Sequence, residues 1–133
     1  MRYRSWIVAA GFVAITGTSP QAADFSFSFS NWGDFHLCTT GRPMTVTNPA
    51  FALKNVPKGA ASIRFKITDL AVPSYNHGGG KVAYKGGSTI APGAFKYRSP
   101  CPPNGTHTYE WTADVRDAKG KSIAKAAARK KYP

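Results

Sequence analysis

The sequence predicts a mainly β fold, and three observations carry that prediction. Residues 108–115 place Tyr109, Trp111, Ala113 and Val115 on alternate positions, the period of a strand with one buried face. Residues 62–70 repeat the pattern with Ile63, Phe65 and Ile67, separated by Arg64, Lys66 and Thr68. The 133-residue chain also holds 13 Gly and 10 Pro, a turn-rich composition that suits sheets better than helical bundles.

The remaining elements follow in order. Residues 25–30 alternate Phe25, Phe27 and Phe29 with Ser26, Ser28 and Ser30, a half-buried strand. Residues 31–42 read as a loop that holds Cys38. Residues 43–53 read as a short strand at Met44-Thr45-Val46, a turn at Asn48-Pro49 and a second short strand at Phe51-Ala52-Leu53. Val56-Pro57-Lys58-Gly59 is a turn. After the strand of residues 62–70, residues 71–80 are a loop, 81–85 a short strand, 86–93 a loop and 94–97 extended. Pro100, Pro102 and Pro103 keep residues 99–105 out of regular structure. Asp117-Ala118-Lys119-Gly120 is a hairpin turn. Residues 122–132 are open to two readings. Their Ala and Lys content favours a helix, whereas the preceding turn and the short remainder favour a returning strand.

Hydrophobic residues make up 42% and aromatics 13%, so a packed core is expected, and the length suits one domain. Residues 1–23 read as a secretory signal peptide. Arg2 and Arg4 form the charged start, Trp6 to Ile15 is a short apolar run, and small or polar residues lead to Ala22 and Ala23. The run is too short to span a bilayer; a buried first helix or a retained anchor is the alternative. Cleavage after Ala23 leaves residues 24–133 as the single domain, in the periplasm or secreted. An oxidising compartment and an even count favour a disulfide between Cys38 and Cys101. Two separate buried thiols are the alternative.

Three clusters carry chemistry. Asp69-Leu70-Ala71-Val72-Pro73 closes a strong strand, where a carboxylate can orient a histidine, or can simply be a solvated turn residue. His77-Gly78-Gly79-Gly80 can converge backbone amides on an anion, or can be a flexible turn. Ser99-Pro100-Cys101-Pro102-Pro103-Asn104-Gly105-Thr106-His107-Thr108-Tyr109 joins stiff prolines to an imidazole and a phenol two residues apart, hence on one strand face. A surface His beside a structural Tyr is the alternative there.

This third stretch resembles the GPCPP-x-G-x-HRY signature of the phosphatidylethanolamine-binding protein family, also called Raf kinase inhibitor-like. Asn48-Pro49-Ala50-Phe51 through Val56-Pro57-Lys58-Gly59 is similar to the family's SPPL…W…VP-x-G segment. Asp69-Leu70-Ala71-Val72-Pro73 is similar to its DPDAP loop, and His77 falls at its next pocket histidine. The last residues, Ile123 to Tyr132, resemble its closing strand. The resemblance spans about residues 48–133 and implies the family's β-sandwich with few or no helices. The sequence also departs from the pattern. The second DPDAP carboxylate is absent, Gly78 stands where the family has Trp, Thr108 replaces the Arg of HRY, and the short turn at residues 117–120 replaces a helix.

The resemblance implies a pocket of Asp69, His77, His107 and Tyr109 for a small anionic group, of phosphate type or on a phospholipid headgroup. Asp69 would fix a histidine tautomer, His77 and His107 would donate to the anion, and Tyr109 would add a hydroxyl. Gly78, Gly79 and Gly80 supplying amides is a reading of the sequence alone. Inhibition of an extracytoplasmic enzyme through a protein interaction is the alternative function. A weak hydrolase built on His, Asp and Tyr lacks a Ser-centred nucleophile elbow, so a binder rather than an enzyme is expected. Lys and Arg number 18 against 6 Asp and Glu, a formal net charge of +12, of which the signal peptide holds only Arg2 and Arg4. Such a surface attracts anionic membranes or polymers, or serves solubility alone. Zinc-ligand spacing and nucleic-acid motifs are absent, so neither a metal, a cofactor nor a specific nucleic acid is expected.

Overall fold

The computed structural model describes residues 24–133 and the single residue Gly17. The signal peptide expected over residues 1–23 lies outside the described part. Nine strands and no helix are described: β1 (Ser26–Ser28), β2 (Thr45–Thr47), β3 (Phe51–Lys54), β4 (Ala60–Asp69), β5 (Gly79–Ala83), β6 (Thr89–Ile90), β7 (Lys96–Arg98), β8 (His107–Asp117) and β9 (Ser122–Tyr132). All pairings are antiparallel. They form a four-stranded sheet β5-β4-β8-β9, a three-stranded sheet β1-β3-β6 and a two-stranded ribbon β2-β7.

The alternating strands bury the faces their patterns predict. Ile63, Phe65 and Ile67 on β4, and Tyr109, Trp111, Ala113 and Val115 on β8, form one wall of the core. Phe25, Phe27 and Phe29 form the opposite wall, with Phe51 and Leu53 of β3. The layers meet through aromatic rings. Phe51 stacks on Phe65 with centroids 4.3 Å apart, Trp111 meets Phe51 edge-on at 5.2 Å, and Tyr97 of β7 meets Trp111 at 4.8 Å. This is a β-sandwich, held by aromatic packing worth more than its buried area alone.

Residues 122–132 resolve into a strand. Asp117 closes the hairpin by accepting the Lys119 and Lys121 amides at 2.9 Å each. β9 then pairs with β8 along almost its whole length. Helix propensity loses here because the exposed edge of β8 offers every residue of the segment a backbone partner.

Three boundaries differ from expectation. β5 begins at Gly79 instead of residue 81, so two of the three glycines lie in a strand. β6 occupies part of the expected loop of residues 86–93. Asn48-Pro49 is not a hairpin turn, because β2 and β3 belong to different sheets. Instead the buried Asn48 ties this corner to residues 91–95. Its amide nitrogen donates to the Pro49 and Ala91 carbonyls, and its Oδ1 accepts the Phe95 amide at 2.9 Å.

Candidate anion-binding cleft

One end of the four-stranded sheet gathers the end of β4, the start of β8 and the loop that leads into β5. Pairing of β4 with β8 sets Asp69 directly opposite Tyr109, and His107 is the first residue of β8. The side chains of Asp69, His77, His107 and Tyr109 therefore line one cleft of 210 Å³, together with Gly41, Pro43, Val72, Tyr75, Cys101, Pro102 and Pro103.

Asp69 is buried, with 4% of its surface exposed. Its Oδ1 accepts the Ala71 amide at 2.9 Å and its Oδ2 accepts Nδ1–H of His107 at 2.7 Å. The carboxylate thus turns its own loop and fixes the tautomer of His107, leaving Nε2 as that ring's free nitrogen. His77 is held by a different acceptor. Its Nδ1–H donates to the Arg98 carbonyl at 2.9 Å, while the Arg98 amide donates back to the His77 carbonyl at 2.8 Å. The ring is 3% exposed, edge-on to Tyr75 at 4.5 Å and to Tyr109 at 5.5 Å. Burial lowers its pKa from 6.5, against the opposing pull of the Arg98 carbonyl and the Asp69 charge. His77 is therefore neutral near pH 7, with Nε2 as its acceptor nitrogen. It becomes a donor there only when protonated, a restriction the sequence does not reveal. Burial, and then the Asp69 charge, raise the Tyr109 pKa far above the usual phenol value, so its hydroxyl stays protonated.

The proline stretch forms a buried wall. Ser99, Pro100 and Pro102 are fully buried. Ser99 is tied to Met44 by two bonds, its amide to the Met44 carbonyl at 2.8 Å and its Oγ from the Met44 amide at 3.0 Å. Cys101 is bonded to Cys38 across 63 residues of chain. This disulfide holds the loop of residues 31–43 against the wall, and it is consistent with an oxidising compartment. The Cys38 amide also donates to the Tyr132 hydroxyl at 2.8 Å, which ties the wall to the last strand.

Gly78, Gly79 and Gly80 do not line this cleft. The Gly78 amide donates to Asn76 Oδ1 at 2.9 Å. A Cβ at Gly79 would collide with the Phe65 carbonyl, and one at Gly80 with the Phe95 ring. Gly79 and Gly80 let β5 lie close against the β4 backbone and Phe95, so their place in the expected site gives way to a packing role, whereas a Cβ at Gly78 would meet nothing. Tyr75 and Val72 line the cleft and were missed. Both lie in a loop without periodicity, where the pattern signals nothing about side-chain direction. Arg98 was missed because it acts through its carbonyl, which every residue has. Among the described residues no three His, Cys, Asp or Glu side chains converge as metal ligands.

A sandwich with this end-on cleft and proline wall defines the class: the fold is that of the phosphatidylethanolamine-binding proteins. The chain is similar to the crystal structure of a phosphatidylethanolamine-binding protein homologue from Chlamydia trachomatis. The TM-score is 0.59 and the identity 19%, over 83% of this chain and 97% of that one. No family model matches the sequence, and neither does a curated protein.

Proposed function

We propose that the protein is an exported binding protein for a small anion of phosphate type, free or carried on a lipid headgroup. The observation that carries this reading is the convergence of Asp69, His77, His107 and Tyr109 in one small, walled cleft. Tyr109 offers a hydroxyl donor. His107, oriented by Asp69 through Nδ1, offers its other ring nitrogen, Nε2, to the ligand. His77 adds a charged donor in acid, once its buried ring is protonated. The basic surface concentrates anions around the cleft without selecting among them. Export is supported by the disulfide and by the signal-like first 23 residues. Binding rather than catalysis is favoured because the wall hydroxyl, Ser99 Oγ, is buried and already accepts the Met44 amide.

Isothermal titration with inorganic phosphate tests this. Affinity should rise as pH falls below 6.5 and the buried His77 ring, whose pKa lies under that value, takes up its proton. His107→Ala should lose about tenfold or more in affinity, roughly 1.4 kcal/mol, whereas Lys58→Gln, in a distant turn, should lose little. Equal losses in the two variants would mean that diffuse charge alone binds phosphate.

The loop of residues 70–76 favours a second reading. All seven residues are exposed and none is charged, and Leu70, Val72 and Tyr75 are among them. Such a rim beside a cleft suits docking to a protein, as an inhibitor of an extracytoplasmic enzyme would require. Capture of a partner that survives His107→Ala and is lost in Val72→Asp would favour it.

A further inference from the structure

The outer face of the four-stranded sheet carries a groove that the cleft does not use. Strand register stacks its residues in rows: Lys81, Arg64, Asp114 and Lys125 across the four strands, then Gly79, Lys66, Thr112 and Ala127. The second row is small except for Lys66. The face sinks there into a concavity of 920 Å³ lined by Arg64, Lys66, Lys81, Lys125, Thr112 and Asp114 among others. Four cations line it against one carboxylate, and that carboxylate is occupied. Asp114 accepts Arg116 Nε at 2.9 Å and the Ser122 hydroxyl at 2.5 Å. None of the four cations has an acidic partner among the described residues.

Folding accounts for only part of this placement: Asp114 stands opposite Arg64 and Lys125 as a single opposite charge, while Lys66 and Lys81 have none across from them. Arg64 and Lys81 lie directly opposite each other on β4 and β5, and like charges so placed destabilise a sheet. Lysines on edge strands guard against edge-to-edge pairing, which accounts for Lys81 on β5 and Lys125 on β9. It does not account for Arg64 and Lys66, because β4 lies inside the sheet between β5 and β8. Two cations on an interior strand, one facing a third, indicate a surface kept basic for an anionic occupant.

We propose that this groove binds a linear acidic polysaccharide, with Arg64, Lys66, Lys81 and Lys125 on its carboxylate or sulfate groups. Neighbouring strands lie about 4.8 Å apart and alternate residues on one strand about 6.8 Å, so these cations present a regularly spaced array to a charged chain. Among the described residues the exposed large apolar side chains are Leu37, Leu70, Val72 and Tyr75, and none of these four lies on this face. It therefore has no aromatic platform for nucleic-acid bases and nothing to insert into a bilayer. A concave groove presents its lining cations to a chain that can enter it more readily than to a flat membrane. Thr112 and Asn76 in the lining can bond sugar hydroxyls. The inference is independent of the anion cleft.

The test is calorimetric titration of the purified protein with an oligogalacturonate and a heparin-derived oligosaccharide across a salt series. Binding is expected, weakening steeply with salt. Arg64→Gln/Lys81→Gln should lose about tenfold or more in affinity and about two units of the log–log salt slope, whereas Lys54→Gln/Lys58→Gln, with the same charge change, should lose at most about twofold. Thermal unfolding of Arg64→Gln/Lys81→Gln should not fall, since a repulsion is removed, and its phosphate binding should persist. Should that variant fold poorly, Lys66→Gln alone carries the test with the same expected direction. Equal losses in the control pair would overturn the proposal. So would tighter binding of an oligothymidylate than of either oligosaccharide, or binding confined to anionic vesicles.

Discussion

In the cleft both imidazoles are held by Nδ1, but the acceptors differ and so does the consequence. His107 donates Nδ1–H to the Asp69 carboxylate, which fixes its tautomer. His77 faces a carbonyl in a buried position, and burial lowers its pKa from 6.5. Between that lowered value and 6.5 the unfolded chain binds more protons at His77 than the folded protein does, so stability rises with pH in that window. The contribution is complete above 6.5 and is lost as pH falls through the folded value. Chemical denaturation at pH 7.5 and pH 5 should therefore show wild type losing more stability in acid than His77→Asn does. An identical loss in both would show that His77 is not the group responsible. Phosphate should offset part of the acid loss, because the proton that destabilises the buried ring also creates its Nε2–H donor.

At the scale of the element, β5 shows how a strand can be built from residues that read as a loop. Its first two residues are glycines with almost no strand preference. They fit because β4 and Phe95 leave no room for a side chain. The Gly78 carbonyl accepts the Ile67 amide at 3.2 Å, which continues the β4 contact beyond the strand. Gly79→Ala, which forces a Cβ onto the Phe65 backbone, should destabilise the protein by about 1–3 kcal/mol, in the range of overpacking. Gly59→Ala is the comparison: its Cβ would meet nothing, so its cost should be that of the positive φ alone. Midpoints of urea unfolding at constant slope measure both. An equal shift in the two variants would remove close packing as the reason for Gly79.

For the whole molecule, the Cys38–Cys101 bond joins the loop before β2 to the wall before β8. The cleft thus has a covalently held side, and the opposite side is hydrogen-bonded backbone at residues 70–78. On the chain-entropy view a loop of this length stabilises the fold by about 4 kcal/mol, with native-state strain and residual structure in the unfolded chain reducing that figure. Cys38→Ser/Cys101→Ser should lower stability by about 2–4 kcal/mol and weaken phosphate binding as well. Denaturation and titration on the same variant measure the two losses. Lost stability with unchanged phosphate affinity would separate the staple from the cleft.

The sequence by itself determined a mainly β fold and the main core residues, and through its family resemblance the sandwich and the cleft side chains Asp69, His77, His107 and Tyr109. Period-two burial on residues 62–70 and 108–115 is a local property, and adjacent strands need only pair for Asp69, His107 and Tyr109 to come together. The cysteine pair was legible for a similar reason, since a chain with two cysteines offers each of them one partner. Tertiary structure decided the rest. Residues 122–132 had to become a strand because β8 presented an unpaired edge. Gly79 had to pack against the β4 backbone and Gly80 against Phe95, and none of Gly78–Gly80 lines the cleft. His77 had to keep its Nδ1 proton on the Arg98 carbonyl, so its role depends on pH. The rows of the outer sheet face exist only once four strands, distant in sequence, are set in register. Each of these outcomes depends on which atoms become neighbours across the sandwich, and no local pattern of residues encodes that.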